Sequence, residues 1–421
     1  DGEWYDIILV TNDDGSTTAR AGDGTAVTAK TNDDGSVALT ITNAEGAKFE
    51  VTKAAGARPA SDAATWASGF DASSVAPDEK RKDWNGTEKP FFQILSDNGV
   101  NTVRLRAWVE PYARNKDVNS DLGWSSGSDT ATVVAQAVAA QNAGLSVMID
   151  FHYSDCWADP GKQVIPASWQ KTCTTQEQLA AKVREYTTEV LALLKAAGVT
   201  PAYVQVGNEI NHGMLAHKAR NGNTSVNADD TISGRRQNQN YAVMAKYVKA
   251  GCEAVRAFDP GIKIILHVAR SSYNNDTIDA LMSKGVTDFD IVGYSWYPGY
   301  SHGTLSALAK DIQAYVKKGK QVMVVETSVP ASKGDMSMAR AYENYKDNPT
   351  GKMYDDLTVS GNALTYSVAN QKNGLVHTME EVAKAGGCGV FTWGGEIPMG
   401  NWAMFGDGKA FESMDVFAYR P

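Results

Sequence analysis

From Trp66 onward the chain alternates short, almost wholly apolar runs with longer stretches in which apolar residues recur at helical spacing. The strand-type runs are Ala67–Ser73, Val100–Val109, Leu145–His152, Ala202–Glu209, Ile262–Val268, Asp290–Tyr297, Gln321–Thr327 and Gly389–Trp393. Helical patterns fill most of the intervals, at Glu88–Asp97, Thr130–Ala143, Thr175–Ala197, Asn238–Phe258, Leu305–Lys318 and Tyr366–Ala385. Near-continuous β-branched runs separated by helical crossovers are the pattern of parallel strands covered on both faces. Eight such repeats predict an α/β fold, a (β/α)8 TIM barrel. The stretch after the seventh run, Ser328 to Ala363, is unusually long for a connection, and long connections are commonly functional walls or lids.

Before Ala54 the pattern is different. Short β-type runs (YDIILVT, TAVTAKT, VALTIT, KFEVT) alternate with turn signals, and TNDDGS occurs twice, at Thr11 to Ser16 and at Thr31 to Ser36. Asp-Gly pairs between alternating strands signal hairpins, so a small N-terminal antiparallel β module is expected. Ala54 to Thr65, rich in Ala with Gly and Pro, reads as a linker. The division is therefore residues 1–60 for the module and 61–421 for the barrel. A module of about 50 residues has a marginal core and should lean on a neighbour or on a preceding N-terminal part.

Composition narrows the classes. With 43% hydrophobic and 21% charged residues the chain is an ordinary globular one, and a net charge of −9 without a basic run opposes binding to nucleic acid. No stretch reaches the roughly 18–20 apolar residues of a membrane span. The four cysteines do not make a disulfide framework in a chain of 421 residues. Cys156 and Cys173 fall in one polar stretch, which leaves a single bridge or two free thiols open. No Cys or His spacing matches a zinc site. The 10 Trp and 17 Tyr change the picture more, because sugars stack their apolar faces on such rings.

The chemistry collects at strand ends. The fourth run, AYVQVGNE, closes on Asn208-Glu209, and the seventh, QVMVVET, on Glu326. A lone strand-end acid is more commonly just solvated. Two of them on parallel barrel strands come to one rim, where barrel enzymes keep their chemistry. Paired carboxylates suit glycoside hydrolysis, in which one carboxyl protonates the leaving oxygen and the other attacks or stabilises the anomeric carbon. Other polar and aromatic groups cluster at the same ends: Arg104 and Arg106 on one face of the second strand; Asp150, His152, Asp155 and Trp157 after the third; Trp296, Tyr297 and His302 after the sixth; Trp393 after the eighth. His152 on its own reads as a satisfied core histidine.

The runs NGVNTVRLRAW, DFHYSDCWADPGKQ, VQVGNEI followed by GML, VGYSWYPGYSHGTL and VVETSVP together resemble glycoside hydrolase family 53, the arabinogalactan endo-β-1,4-galactanases, and GFDASSV is similar to that family's first strand. The likeness extends from Trp66 to Tyr419. It implies a retaining barrel enzyme with Glu209 as acid/base, Glu326 as nucleophile and Asn208 as the partner of the 2-hydroxyl. It further implies that Arg104 and Tyr297 hold the nucleophile ionised, that His152 meets the sugar in subsite −1 and that Trp393 is its platform. Arg106, Asp155, Trp157, Trp296 and His302 join the expected substrate-binding set. The sequence departs from the family at Cys156, where an aromatic residue is expected, and at the eighth strand, which reads TWGGEIP. Bacterial members hold a structural calcium through an acidic motif after the seventh strand; here ASKGDMSMARAYENYKDNPTG lacks it, and the chemistry itself needs no cofactor. The expected partners are β-1,4-galactan and galacto-oligosaccharides, with the protein a monomer acting outside the cell, secreted or surface-anchored. The rival readings are another polysaccharide (mannan, xylan) on the same machinery, or a non-catalytic galactan-binding protein.

Overall fold

The computed structural model describes residues 7–111, 128–219, 225–270, 276–298, 302–332, 357–359, 361–397 and 400–421. Eight parallel strands close a barrel in chain order: Ala67–Asp71, Thr102–Ala107, Ser146–Phe151, Tyr203–Val206, Lys263–Ala269, Ile291–Ser295, Gln321–Thr327 and Gly389–Thr392, the last pairing back onto the first. Nearly every residue of these strands is buried, as strands covered on both faces require. Several crossover helices open on side-chain caps: Asp129 accepts from Thr132 N–H, Thr304 from Ala307 N–H and Ser367 from Asn370 N–H. Thr175 and Gln178 form a reciprocal capping box on Gln176–Ala196.

The expected helix over 88–97 is shorter than its pattern. Glu88–Pro90 pairs antiparallel with Lys80–Lys82, and only Phe91–Asp97 is helical. Pro90 lacks an N–H and restricts the residue before it, so the helix starts beyond it.

The chain falls into two compact units, Asp1–Ala63 with Leu105–Val268 and Asp276–Asp290, and Ala64–Arg104 with Ala269–Asn275 and Ile291–Pro421. In the first, residues 8–53 form a five-stranded antiparallel meander, Ile8–Thr11, Thr17–Arg20, Ala26–Thr31, Val37–Thr42 and Lys48–Lys53. Its Asn-Asp-Asp-Gly turns carry Gly15 and Gly35 at φ 79° and 80°, and Asp14 and Asp34 accept from the Ser16 and Ser36 N–H groups. Ala19, Val27, Leu39 and Ile41 make its small core. The module leans on the same unit's helix Thr130–Asn142, as expected: Asn142 takes the Ala54 N–H on its side-chain oxygen and donates to Thr52 O. Farther on, Ala60 O accepts from Val147 N–H at the start of the third barrel strand. Cys156 and Cys173 are both buried free thiols, so no bridge joins them.

Candidate active site

Glu326 ends the seventh barrel strand, and a bulge decides where it points. Val324 pairs with Tyr294 but Glu326 with Ser295, so the seventh strand carries one residue more than its neighbour at this place. Bulges of this kind re-aim a side chain beside active sites. Glu326 is 7% exposed and held from two sides: Arg104 Nη1 lies 2.8 Å from Oε1, and Tyr297 Oη donates to Oε2 at 3.0 Å. Arg104, inside the second strand, also places Nη1 2.9 Å from Asp71 Oδ2, so one buried cation is shared by two carboxylates. Asp71 in turn takes the Ser73 N–H on its other oxygen. Trp296 is fully buried; its backbone N–H donates to Glu326 O and its indole N–H to Gly303 O.

Tyr297 has its own support. Its N–H donates to His302 Nδ1 at 3.1 Å, and Arg270 Nη1 donates to His302 O while Arg270 Nε reaches Asp311 Oδ2 at 2.8 Å. Burial, and then the Arg270 guanidinium, push the His302 imidazole down to about 4, which agrees with a neutral ring accepting at Nδ1.

Glu209 lies three residues past the fourth strand, in a strained turn. Gly207 at φ 84° has no room for a Cβ, which would meet Ile210 Cγ2 at 2.6 Å. Glu209 itself is left-handed, φ 45° and ψ 52°, a conformation costing a non-glycine residue about 1–2 kcal/mol. Gln163 fixes the turn by donating to Asn208 O at 2.8 Å and Glu209 O at 3.3 Å, and Glu209 N–H points to His267 Nδ1 at 3.3 Å. Asn208, 5% exposed, donates to Ala158 O at 2.8 Å.

The remaining expected residues separate by exposure and partners. Trp157 is half-buried, with the Arg106 guanidinium 3.9 Å from its ring centroid and Trp108 edge-on at 5.4 Å. Arg106 is buried and donates through Nε to Ser128 Oγ. Trp393 is also half-buried, its ring 6.0 Å from that of Trp402. Asp155 is buried and accepts from Glu110 N–H and Ala167 N–H, one on each oxygen, which ties two rim segments together. His152 is 2% exposed, with Nε2 on Asp150 and Nδ1 accepting from Ala158 N–H. Sequence reasoning passed over Asp71, Gln163, Gln205, His267, Arg270 and Asp311. Asp71, the third residue of GFDASSV, was the one visible signal among them, since a charge inside an otherwise apolar strand needs a partner.

Among the described residues no group of three or more His, Cys, Asp or Glu side chains is gathered to hold a metal ion. The calcium expectation falls within residues 333–356, which lie outside the described residues. No helix among the described residues is long and apolar enough to cross a membrane.

Residues 67–420 match the family model described as Glycosyl hydrolase family 53. The chain is 35% identical over 253 residues to a Niallia circulans protein of uncharacterised function, a match spanning 59% of this chain and 62% of that one. It is 34% identical over 278 residues to the arabinogalactan endo-β-1,4-galactanase of Thermothelomyces thermophilus, covering 63% of this chain and 74% of the relative. Among solved structures, the family 53 catalytic domain of Ignisphaera aggregans is similar, with a TM-score of 0.66 and 27% identity over 86% of this chain and 98% of that one. A strand-end carboxylate clamped by a buried arginine and a tyrosine, on a barrel matched along almost its whole length, leads to one statement of kinship: the chain belongs to glycosyl hydrolase family 53.

Proposed function

We propose that this glycoside hydrolase is a retaining endo-β-1,4-galactanase, with Glu326 as nucleophile and Glu209 as acid/base. The observation that carries the reading is the clamp on Glu326. A nucleophilic carboxylate must be ionised and held still, and hydrogen bonds from Arg104 and Tyr297 to its two oxygens favour the charged form and fix its plane. In the first step a Glu326 oxygen bonds to the anomeric carbon while the proton of Glu209 passes to the departing glycosidic oxygen. In the second, Glu209 takes a proton from water, whose oxygen attacks the anomeric carbon and frees Glu326. Neither step calls for a cofactor.

Asn208 stands beside Glu209 as the partner of the 2-hydroxyl. The half-buried rings of Trp157 and Trp393 suit sugar stacking, whereas Trp296 and His152 are enclosed and act as supports. Galactan is favoured as substrate by the arabinogalactan endo-β-1,4-galactanase similar over 63% of this chain. A polymer of that size is met outside the cell, so the enzyme works there, as a monomer, with the module of residues 1–60 as an appendage to a barrel of residues 61–421.

A polysaccharide panel tests the substrate: galactan should be cut internally to short oligosaccharides, and degradation of mannan or xylan instead defeats the reading. Azide tests the roles. With Glu209→Ala and an activated aryl galactoside, azide should intercept the glycosyl-enzyme and give a β-azide, whereas with Glu326→Ala it should replace the missing carboxylate and give an α-azide. The opposite stereochemistry reverses the assignment.

A further inference from the structure

Behind Asn208 and Glu209 lies a ring of hydrogen bonds that closes on itself. Asp150 Oδ2 lies 3.0 Å from His152 Nε2; His152 Nδ1 accepts from Ala158 N–H at 3.1 Å; Ala158 O accepts from Asn208 Nδ2 at 2.8 Å. Asn208 Oδ1 then accepts from Gln205 Nε2 at 3.2 Å, and Gln205 Nε2 returns to Asp150 Oδ1. His267, from the fifth strand, sits against the ring with Nδ1 2.9 Å from Asn208 Oδ1 and 3.1 Å from Gln205 Nε2. Asp150, Gln205 and His267 are 0% exposed, so bulk water cannot exchange for these partners.

The ring has a direction, and one residue sets it. An ionised carboxylate only accepts, so Asp150 obliges His152 to carry its proton on Nε2 and Gln205 to turn its NH2 inward. The His152 Nδ1 lone pair is then available to the Ala158 N–H, which places Ala158 O for the Asn208 amide. From the other side, Gln205 can meet Asn208 only at an oxygen. Both ends of the Asn208 side chain are thus oriented from Asp150, through His152 and Ala158 on one side and through Gln205 on the other.

We infer that Asp150, together with Gln205 and His267, is a positioning residue: it fixes the amide of Asn208 and, through that turn, the acid/base Glu209. The inference rests on the roles proposed above. It assigns work to three fully buried side chains that lie behind Asn208 and Glu209.

The test is Asp150→Asn in the full chain, a substitution that keeps shape and removes the obligatory acceptor. The expected result is a fall in kcat on galactan of about 10- to 100-fold, the scale for a misplaced catalytic group, with KM little changed. The loss should be smaller on an aryl galactoside whose leaving group needs no proton. Gln205→Met should lose activity likewise, and the double variant should be no worse than either single one, because both break one ring. Nitrogen-15 NMR of the histidines reads the ring without activity: His152 should be neutral and protonated at Nε2 in the unaltered protein and a mixture of tautomers in Asp150→Asn. Finding the proton on Nδ1 in the unaltered protein overturns the inference even if the variants fail to fold. So does an active enzyme whose kcat is untouched by Asp150→Asn. An unaltered protein that leaves galactan intact defeats the functional reading, while the tautomer measurement still judges the ring.

Discussion

Arg104→Met removes one cation from between two carboxylates. Nη1 lies 2.8 Å from Glu326 and 2.9 Å from Asp71, and the side-chain exposures of the three residues are 1%, 9% and 1%. At such burial water does little to replace the lost partner, and deleting one member of a buried ion pair costs about 3–5 kcal/mol because the charge left behind is uncompensated. Unfolding entropy of about 2.1 cal/mol/K per residue gives about 0.9 kcal/mol/K for 421 residues, so Tm should drop by about 3–6 °C. The second arm adds Glu326→Gln and Asp71→Asn to Arg104→Met. With the orphaned charges neutralised, most of the lost stability should return while activity on galactan stays absent. Circular dichroism melts at neutral pH and a reducing-sugar assay read both quantities. A Tm unchanged in Arg104→Met refutes the argument, and so does a triple variant no more stable than the single one. Tyr297→Phe is the milder comparison: it deletes one hydrogen bond to a charged oxygen, about 1.5–3 kcal/mol and hence about 10- to 150-fold in kcat, with little change in Tm.

Three further outcomes follow from the remaining geometry. His302, held down to about 4 from 6.5, leaves the unfolded chain binding a proton between those values that the folded chain refuses; stability is complete above pH 6.5 and falls as pH drops toward 4, and His302→Asn should flatten that limb in urea titrations. Glu189, half-buried on a cavity of about 620 Å³ that Asp23 and Glu185 also line, is pushed up to about 7 by burial and then by those two carboxylates. Here the unfolded chain loses its proton first, so stability falls as pH rises from 4.5 to 7; Glu189→Gln should stabilise the protein at about pH 8 and leave it unchanged at about pH 4, and equal effects at both would contradict this. A chain lacking residues 1–56 should fold and cut soluble galactan, whereas cutting past Ala60 also strips the carbonyl that takes the Val147 N–H and should lower Tm further; a folded but inactive 57–421 fragment would show that the module shapes the site.

The eight barrel strands were readable because each is buried on both faces and so announces itself as an unbroken apolar run. Six of their ends were read too long for a physical reason, and that of Lys263–Ala269 one residue short. Trp296 and Tyr297 continue the aromatic texture, and Gly207, Asn208 and Glu209 follow the apolar run without a break, but all of them leave the ladder, since the rim turns start there. Only Gln321–Thr327 kept its expected limits, with the bulge inside it hidden, because a bulge alters pairing without altering composition. Thr17–Arg20 was missed in the meander for the opposite reason: TTAR has one inward residue, Ala19, and is a strand by virtue of the neighbours on either side. The short helices Ala167–Thr172 and Thr277–Ser283 are below the length at which periodicity can be distinguished from chance.

The site divides along a similar line. Residues whose chemistry is anomalous for their place, such as a glutamate closing an apolar strand or an arginine inside one, draw attention without any structure. The groups that make them work do not. Gln205 and His267 look like ordinary polar interruptions of strands, and Arg270 like a strand-end charge, until Asn208, Glu209 and His302 are found against them. Partner identity is a property of three-dimensional juxtaposition, here across strands separated by some 60 residues between Gln205 and His267 or 29 between Tyr297 and Glu326. His152 shows the consequence in reverse. Its position in DFHYSD invites a substrate contact, yet both ring nitrogens are engaged by Asp150 and Ala158, and the bland reading of a satisfied histidine describes its surroundings better. On the positioning role inferred for Asp150, that satisfaction links its charge to Asn208 through the tautomer that His152 is forced to adopt.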